Sequence, residues 1–458
     1  MSMSRPGERM RQDLRAQKFH DFRRTAVIND PSVLRRLWKW HDDHPLPTAL
    51  NLWVRNWLVF PARAFSEHLK HRKDIALKVG SPDSAGDPAV PDDTLLEIRH
   101  RPGTVTLAEA EAKLRLIEGA NALLVRADRG WIAQPRANYA YKGISIEEMG
   151  CRFLGYFYAY QATGNEEWRD KARYCIELLQ RRMLPGGHIV LQGHLVIDFT
   201  YALAAYCLFL WSSFVDDRKI EEQALNVASI LLRYQISGSQ NHGIIPCYAL
   251  AESYRRTGDS AFLAAASRRV RRTALRNQLA SGGWIDHDSW IWYHSIITGA
   301  LCKTYSILPC DLEHMRFKDR VARCLYRAIN RIIASQREDG SLRHGRGEAR
   351  WNGVDESGVS PDTQVVHYDA KTMRFTPADS VREFPTHAWE CFAMQILIDD
   401  IDLYHLAPLI RGYVGFVTRQ NVYWRFEFHT MAAGIGMHLL KTLEDHPYTK
   451  NATIRADA

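Results

Sequence analysis

The stretch IPCYALAESYRRTGDSAFLAAASRRVRRTALRNQL, Ile245–Leu279, decides the fold. Its first half spaces apolar residues as a helix does, Thr257-Gly258-Asp259 breaks the pattern, and an Ala/Arg-rich amphipathic helix follows. Glycine ends a helix because it enters the left-handed region without strain, and aspartate starts the next by accepting its free backbone N–H groups. The same grammar recurs in SIEEMGCRFLGYFYAYQATGNEEWRDKARYCIELLQRRM, Ser145–Met183, around Thr163-Gly164-Asn165. Two copies predict an internal repeat of helical hairpins.

Working outward, the periodicity predicts further pairs at 194–214 with 218–235, 290–307 with 314–335, and 386–404 with 406–420. Single helices are expected near 107–125 and 425–443, making about twelve in all. The first member of each pair is the more apolar and aromatic, as an inner helix would be, while the second carries the Arg and Lys of a solvated face. The second helices end alike, with Gln235, Gln278, Gln336 and Gln420 each followed by a short loop. Strand patterns are almost absent. The expected architecture is all-α, an (α/α)6 toroid of helical hairpins with a basic N-terminal helical arm. An open solenoid is the alternative. The divisions are an arm at 1–80, a Pro/Gly/Ser/Asp-rich linker at 81–105, the toroid at 106–445 and a tail at 446–458.

At 458 residues and 46% hydrophobic composition the chain can bury a large core. Its eight cysteines are scattered without a C-x-x-C pair, which argues against a disulfide framework and a structural zinc site. No apolar leader pattern and no uninterrupted apolar run of about 18 residues is visible, so a cytoplasmic location, peripheral to an inner membrane, is expected. The net charge of +8 is concentrated in residues 1–80, with 16 Lys+Arg against 8 Asp+Glu; the remainder is neutral. In that arm Trp38, Trp40, Trp53, Trp57 and Phe60 are interleaved with Arg, which suits an anionic membrane surface as well as packing on the main body. No nucleic-acid motif is recognised, so no nucleic-acid partner is expected.

Residues able to do chemistry collect in the loops entering the predicted inner helices. They are Tyr139, Tyr141 and Lys142; His188, Gln192, His194 and Asp198; Asn241 and His242; Asp286, His287, Asp288, Trp290, Tyr293 and His294; His387, Trp389 and Glu390; and Tyr423, Trp424, Arg425, Glu427 and His429. In a closed toroid these loops converge at one end, where the helix N-termini favour anions. Aromatic platforms with interspersed His, Asn and Arg describe a site for a polar ring such as a sugar. The Gly-rich stretch Asp339 to Thr363 has the length of a lid, bringing Arg343, His344, Arg346 and Arg350. His188, His194 and Asp198 have no known metal-ligand spacing, and no metal or cofactor is expected. Asp399, Asp400 and Asp402 read as a solvated cap at the far end of their helix.

Asn241-His242, the Thr-Gly-Asp hairpin and Tyr293-His294 together resemble the alginate-lyase-type toroid polysaccharide lyases, which carry Asn-Asn-His and Tyr-His segments at comparable separation. Gln240 stands where those proteins have the first Asn, and the Arg before their Tyr has no counterpart. The resemblance implies β-elimination on an acidic, uronate-containing poly- or oligosaccharide, or C5 epimerisation. Asn241 and His242 would neutralise the sugar carboxylate, with Tyr293, beside His294, as base and acid. Lys142, Tyr141, His194, Asp288, Trp290, His387, Trp389, Trp424, Arg425, Glu427 and Arg346 would bind substrate. Three alternatives stand beside it. A glycoside hydrolase on the same fold would draw carboxylates from Asp286, Asp288, Glu390 and Glu427. A terpenoid cyclase or prenyltransferase-like toroid is suggested by the Gln…Gly turns, against which no D-x-D-D or D-D-x-x-D motif is present. The third is a non-catalytic glycan-binding scaffold.

Overall fold

The structure is a computed structural model that describes residues 89–100, 102–124, 146–189, 197–233, 240–284, 291–342, 366–369, 374–377, 388–420 and 426–446. Among them twelve long helices alternate between two rings. They are α1 (Leu107–Leu124), α2 (Ile146–Thr163), α3 (Glu166–Gln180), α4 (Ile197–Val215), α5 (Arg218–Arg233) and α6 (Pro246–Thr257). They continue with α7 (Ser260–Arg272), α8 (Ile291–Ile307), α9 (Leu312–Ser335), α10 (Ala388–Ile401), α11 (Ala407–Arg419) and α12 (Phe426–Asp445). A short antiparallel hairpin, β1 (Val366–Asp369) and β2 (Arg374–Pro377), lies between α9 and α10 and was not foreseen by the sequence pattern.

The even-numbered helices form the inner ring. Each packs on the next, and α12 packs along α2, so the ring closes. Tyr206 of α4 meets Tyr248 of α6 at 5.9 Å between ring centroids. The Tyr248 hydroxyl donates to the Ile296 carbonyl of α8 at 2.8 Å. The Cys302 thiol of α8 points to the Ile396 carbonyl of α10. At the closure Gly434 of α12 lies on Gly155 of α2 so closely that a β-carbon on either would overlap the other helix's backbone. The inner helices α4, α8 and α10 are mostly apolar on all sides because they are enclosed on all sides. In α4 every residue from Tyr201 to Phe209 is buried. This helix is long and apolar enough in composition to cross a membrane, yet it is an inner stave of the toroid.

The odd-numbered helices form the outer ring, with α1 packed on α12 and completing it from the other end of the chain. The Thr-Gly-Asx turns behave as the sequence predicts. Gly164 and Gly258 adopt φ of 67°. The Asn165 side chain accepts from the Glu167 N–H at 3.1 Å, and Asp259 accepts from Ala261 at 2.9 Å. The turns from outer to inner helices also repeat. Met183, Gln278 and Gln336 bridge to Ile189, Trp284 and Leu342. Within each turn sits a glycine of positive φ, Gly187, Gly282 or Gly340, pressed on the backbone of the next outer helix where a β-carbon would collide. The repeated glutamine is a latch to that helix: Gln278 Nε2 donates to the Cys324 carbonyl at 2.8 Å and Gln336 Nε2 to Leu409 at 3.1 Å.

The span read as a linker is, over its described part, a strap on the outer ring. Val90 N–H donates to the Ala280 carbonyl at 3.0 Å. Asn330 of α9 is fully buried and its amide gives 2.9 and 2.7 Å bonds to the Pro91 and Thr94 carbonyls, while its oxygen accepts from Leu96 N–H at 2.7 Å. Asp92 pairs with Arg327. Farther on, Pro102 packs on Gly412, and the Gly103 carbonyl accepts from Arg419. The strap thereby ties together the ends of α7, α9 and α11.

Candidate functional site

Short connections make each hairpin antiparallel, so the inner helices run in one direction and their N-termini form one rim. Two aromatic rings close the axis beneath it. Phe199 of α4 and Trp389 of α10, on opposite sides of the ring, meet at 5.4 Å between centroids, inclined at 76°. The His242 ring stands 6.4 Å from Phe199 at 77°. One buried guanidinium holds this group: Arg269 of α7 donates to the Gly243 carbonyl at 2.9 Å, to Leu231 at 3.2 Å and to the Asp198 carboxylate at 3.3 Å. It thus fixes the first turn of α4, the end of α5 and the Gln240–Ile244 turn that carries His242. Sequence reading passed Arg269 over as one of several surface arginines. The signal was there: Phe262, Ala265 and Ala266 share its face of the helix, and all are buried.

Asn241 is buried beneath His242, its side-chain oxygen accepting the His242 backbone N–H at 2.8 Å, while His242 is half-buried. The Gln240–Ile244 turn, which carries Asn241 and His242, packs on α8, the helix that carries Tyr293 and His294. On α8, Trp292 and Tyr293 are half-buried and their rings lie 3.9 Å apart between centroids. His294 goes the other way. Its Nε2 lies 2.9 Å from the Ala328 carbonyl of α9, the ring is fully buried against Trp284, and burial holds its pKa down to about 3. The imidazole is neutral, with the proton assigned to Nε2 by its carbonyl partner. Neighbouring helical residues point about 100° apart, so Tyr293 and His294 cannot both face the axis. His294 anchors the first turn of α8 to the outer ring.

The remaining expectations divide. Trp389 is in the floor. Glu427 is buried, and its charge acts on Arg152, a buried guanidinium of α2 that also faces Glu148 at 3.3 Å and Glu118 at 4.0 Å. Glu390 is 1% exposed beside Tyr413 of α11, neither of its oxygens has a hydrogen-bond partner among the described residues, and burial raises its pKa to about 8. Asp198, considered with His188 and His194 for a metal, is bound to Arg269 instead. Tyr141, Lys142, His194, Asp288, Trp290, Arg346, His387, Trp424 and Arg425 lie outside the described residues.

Below the floor the axis is filled. Phe392 of α10 contacts Tyr206 and Tyr248 at 5.5 and 5.3 Å between centroids. Farther down, Lys303 pairs with Glu252 at 2.9 Å and Asp400 at 3.1 Å, and Arg255 with the same two carboxylates at 2.8 and 3.0 Å. Burial would raise the Glu252 pKa, but Lys303 and Arg255 hold it down to about 2. The Asp run is therefore not all solvated: the Asp400 side chain is buried in this network, drawn in by cations from two other helices. Any ligand on the axis must sit on the rim side of Phe199 and Trp389.

No family model matches the chain, and no curated protein sequence matches it. Solved structures are similar. One is a GH76 α-mannanase of Bacteroides thetaiotaomicron, at TM-score 0.50 and 11% identity over 76% of this chain and 96% of that one. Another is a mutant unsaturated glucuronyl hydrolase of Streptococcus agalactiae, at TM-score 0.49 and 11% identity over 78% and 99%. A third is a polysaccharide lyase, at TM-score 0.44 and 11% identity over 74% and 98%. The likeness to the α-mannanase is one of fold, the (α/α)6 toroid.

Proposed function

We propose that the chain is a carbohydrate-active enzyme whose substrate carries uronic acid, and that it works at the inner-helix rim by β-elimination or C5 epimerisation. The observation that carries this reading is the setting of His242. It stands half-buried at the edge of the Phe199–Trp389 floor, on a turn packed against the helix that presents Trp292 and Tyr293. Apolar ring faces with a few polar groups match the two sides of a sugar. That a protein named as an α-mannanase has this fold agrees with a carbohydrate substrate.

In this reading His242 hydrogen-bonds the sugar carboxylate, and Asn241, which accepts the His242 N–H, positions it. Withdrawing charge from the carboxylate acidifies the C5–H bond. The Tyr293 oxygen, as phenolate, takes the C5 proton. The freed electron pair forms the C4=C5 double bond, the C4–O bond breaks, and the departing oxygen takes the proton from Tyr293. Epimerisation instead returns a proton to the opposite face of C5, leaving the C4–O bond whole. Hydrolysis needs two carboxylates facing the bond, about 5–5.5 Å apart for retention or about 6.5–9.5 Å for inversion. Glu390 and Glu427, two of the four candidates for that role, are both turned into the protein; the other two, Asp286 and Asp288, lie outside the described residues.

Incubation with a panel of polyuronates tests the reading. Ultraviolet absorbance of an unsaturated uronate identifies a lyase, and solvent deuterium at C5 without that absorbance an epimerase. New reducing ends alone identify a hydrolase and remove the Tyr293 mechanism. An unchanged panel removes the carbohydrate reading.

A further inference from the structure

We propose that the outer wall formed by α7 and α9 is a docking surface for an anionic lipid bilayer. It stands apart from the reaction at the rim. The first observation is uncompensated charge. From Ser260 to Asn277 the chain carries five arginines and no acidic residue. Arg269 turns inward to Asp198, whereas Arg268, Arg271, Arg272 and Arg276 are exposed. On α9, Arg316 and Arg320 are exposed, on the side away from the buried Val321 and Leu325. Among the described residues none of these six arginines has a carboxylate partner. Elsewhere on the outer ring such pairs are made: Arg115 with Glu111 and Glu167, Arg169 with Glu166, and Arg173 with Asp170. The carboxylates near the patch, Asp319 and Asp92, are taken up by two further arginines, Arg323 and Arg327. Like charges three and four residues apart, as at Arg268, Arg271 and Arg272, destabilise a helix. An anionic surface laid on them relieves that repulsion.

The second observation joins the two helices into one patch. The Arg271 guanidinium lies over the Phe317 ring of α9, 4.1 Å from its centroid, and Phe317 is flanked in sequence by Arg316 and lies one turn from Arg320. The Gln278 latch to Cys324 fixes the pair of helices. The third is the apolar content of the same wall. Leu312 is 85% exposed and Met315 52%, and helical spacing sets both beside Arg316. A free polyanion has no use for a protruding leucine and methionine. A bilayer surface uses both kinds of group, headgroup phosphates for the guanidinium groups and the acyl boundary for the apolar side chains. The wall is the convex outside of the ring, which a fluid layer of headgroups can follow. Docked on it, the toroid lies with its axis along the membrane, and the rim stays uncovered.

The test is vesicle binding by the full chain, read by flotation with phosphatidylcholine vesicles, with and without phosphatidylglycerol, across salt concentrations. Wild type is compared with a charge variant, Arg268→Gln, Arg272→Gln and Arg320→Gln, and an apolar variant, Leu312→Ser and Met315→Ser, each first shown to be folded by its denaturation curve. Residues 1–80 are the same in all three chains, so the differences report the wall. Wild type should bind the phosphatidylglycerol vesicles, more weakly as salt rises, and leave pure phosphatidylcholine. The charge variant should lose at least about tenfold in partition with a flatter salt dependence. The apolar variant should lose at least about fivefold and keep the salt dependence. Absence of vesicle binding in wild type, or unchanged binding in the charge variant, overturns the proposal. An unchanged apolar variant overturns the assignment to lipid, because the patch then reads charge alone.

Discussion

Phe199 and Trp389 meet across the axis of the toroid, their ring centroids 5.4 Å apart. They come from opposite inner helices, so this contact is both a floor for the rim and a brace for the ring. Truncating Trp389 to Ala removes a fully buried ring and leaves a cavity that two distant helices cannot collapse to fill. The expected cost is about 3–5 kcal/mol, read from urea denaturation. Trp389→Phe, which keeps a ring there, should cost clearly less. A small loss for the alanine variant would mean that the axis is already open at this level.

The closure of the ring makes a sharper demand. Gly155 and Gly434 bring α2 and α12 into backbone contact. Gly434→Ala should destabilise by about 3 kcal/mol, the upper range for overpacking a tight site, with a matching fall in thermal midpoint. Alanine at Gly119, within α1 and with open surroundings, serves as the control and should stabilise slightly, by about 0.5–1 kcal/mol, as alanine does in a helix interior.

Arg269 offers a test of how the site is held. Arg269→Met takes from the buried Asp198 carboxylate the guanidinium it pairs with, and breaking a buried pair costs about 3–5 kcal/mol. Adding Asp198→Leu should return much of that stability, because the carboxylate left behind is then removed. It should not return activity, since the turn bearing His242 has still lost the guanidinium that donates to Gly243. Recovery of both together would show that Arg269 has no positioning role.

Glu390 sets a pH dependence. Burial raises its pKa from 4.5 to about 8, so the folded chain holds the proton more tightly than the unfolded one. Stability from this group is greatest below pH 4.5, declines up to about pH 8 and is flat beyond. The total loss is at most about 5 kcal/mol. Glu390→Gln has no charge to bury. Its denaturation midpoint should match wild type near pH 5 and exceed it at pH 9, whereas parallel curves would mean that the carboxylate is solvated.

What the sequence discloses and what it hides follow from range. Turn chemistry is local, so the Thr-Gly-Asx hairpins, the caps at Asn165 and Asp259 and the alternation of apolar and charged helices were legible, and with them the (α/α)6 plan. Lateral contacts are not local. Asp400 looked like part of a solvated cap because nothing nearby in sequence indicates that Lys303 and Arg255 reach it from other helices. The strap looked like a linker because Pro, Gly and Asp suit an ordered, extended segment as well as a loose one, and its anchor, Asn330, lies far along the chain. His294 was a different kind of miss: helical spacing alone places it away from Tyr293, and the adjacency of the two names concealed the angle.

The central claim is that His242 and Tyr293 form one reaction centre at the rim. It is tested most directly by the initial rate of unsaturated-uronate formation, or of deuterium entry at C5, in wild type, His242→Ala and Tyr293→Phe, each first shown to be folded by its denaturation curve. Each variant should be slower by at least about two orders of magnitude, the usual share of an acid–base group. Near-normal rates in both folded variants would contradict the account and move the chemistry elsewhere on the toroid.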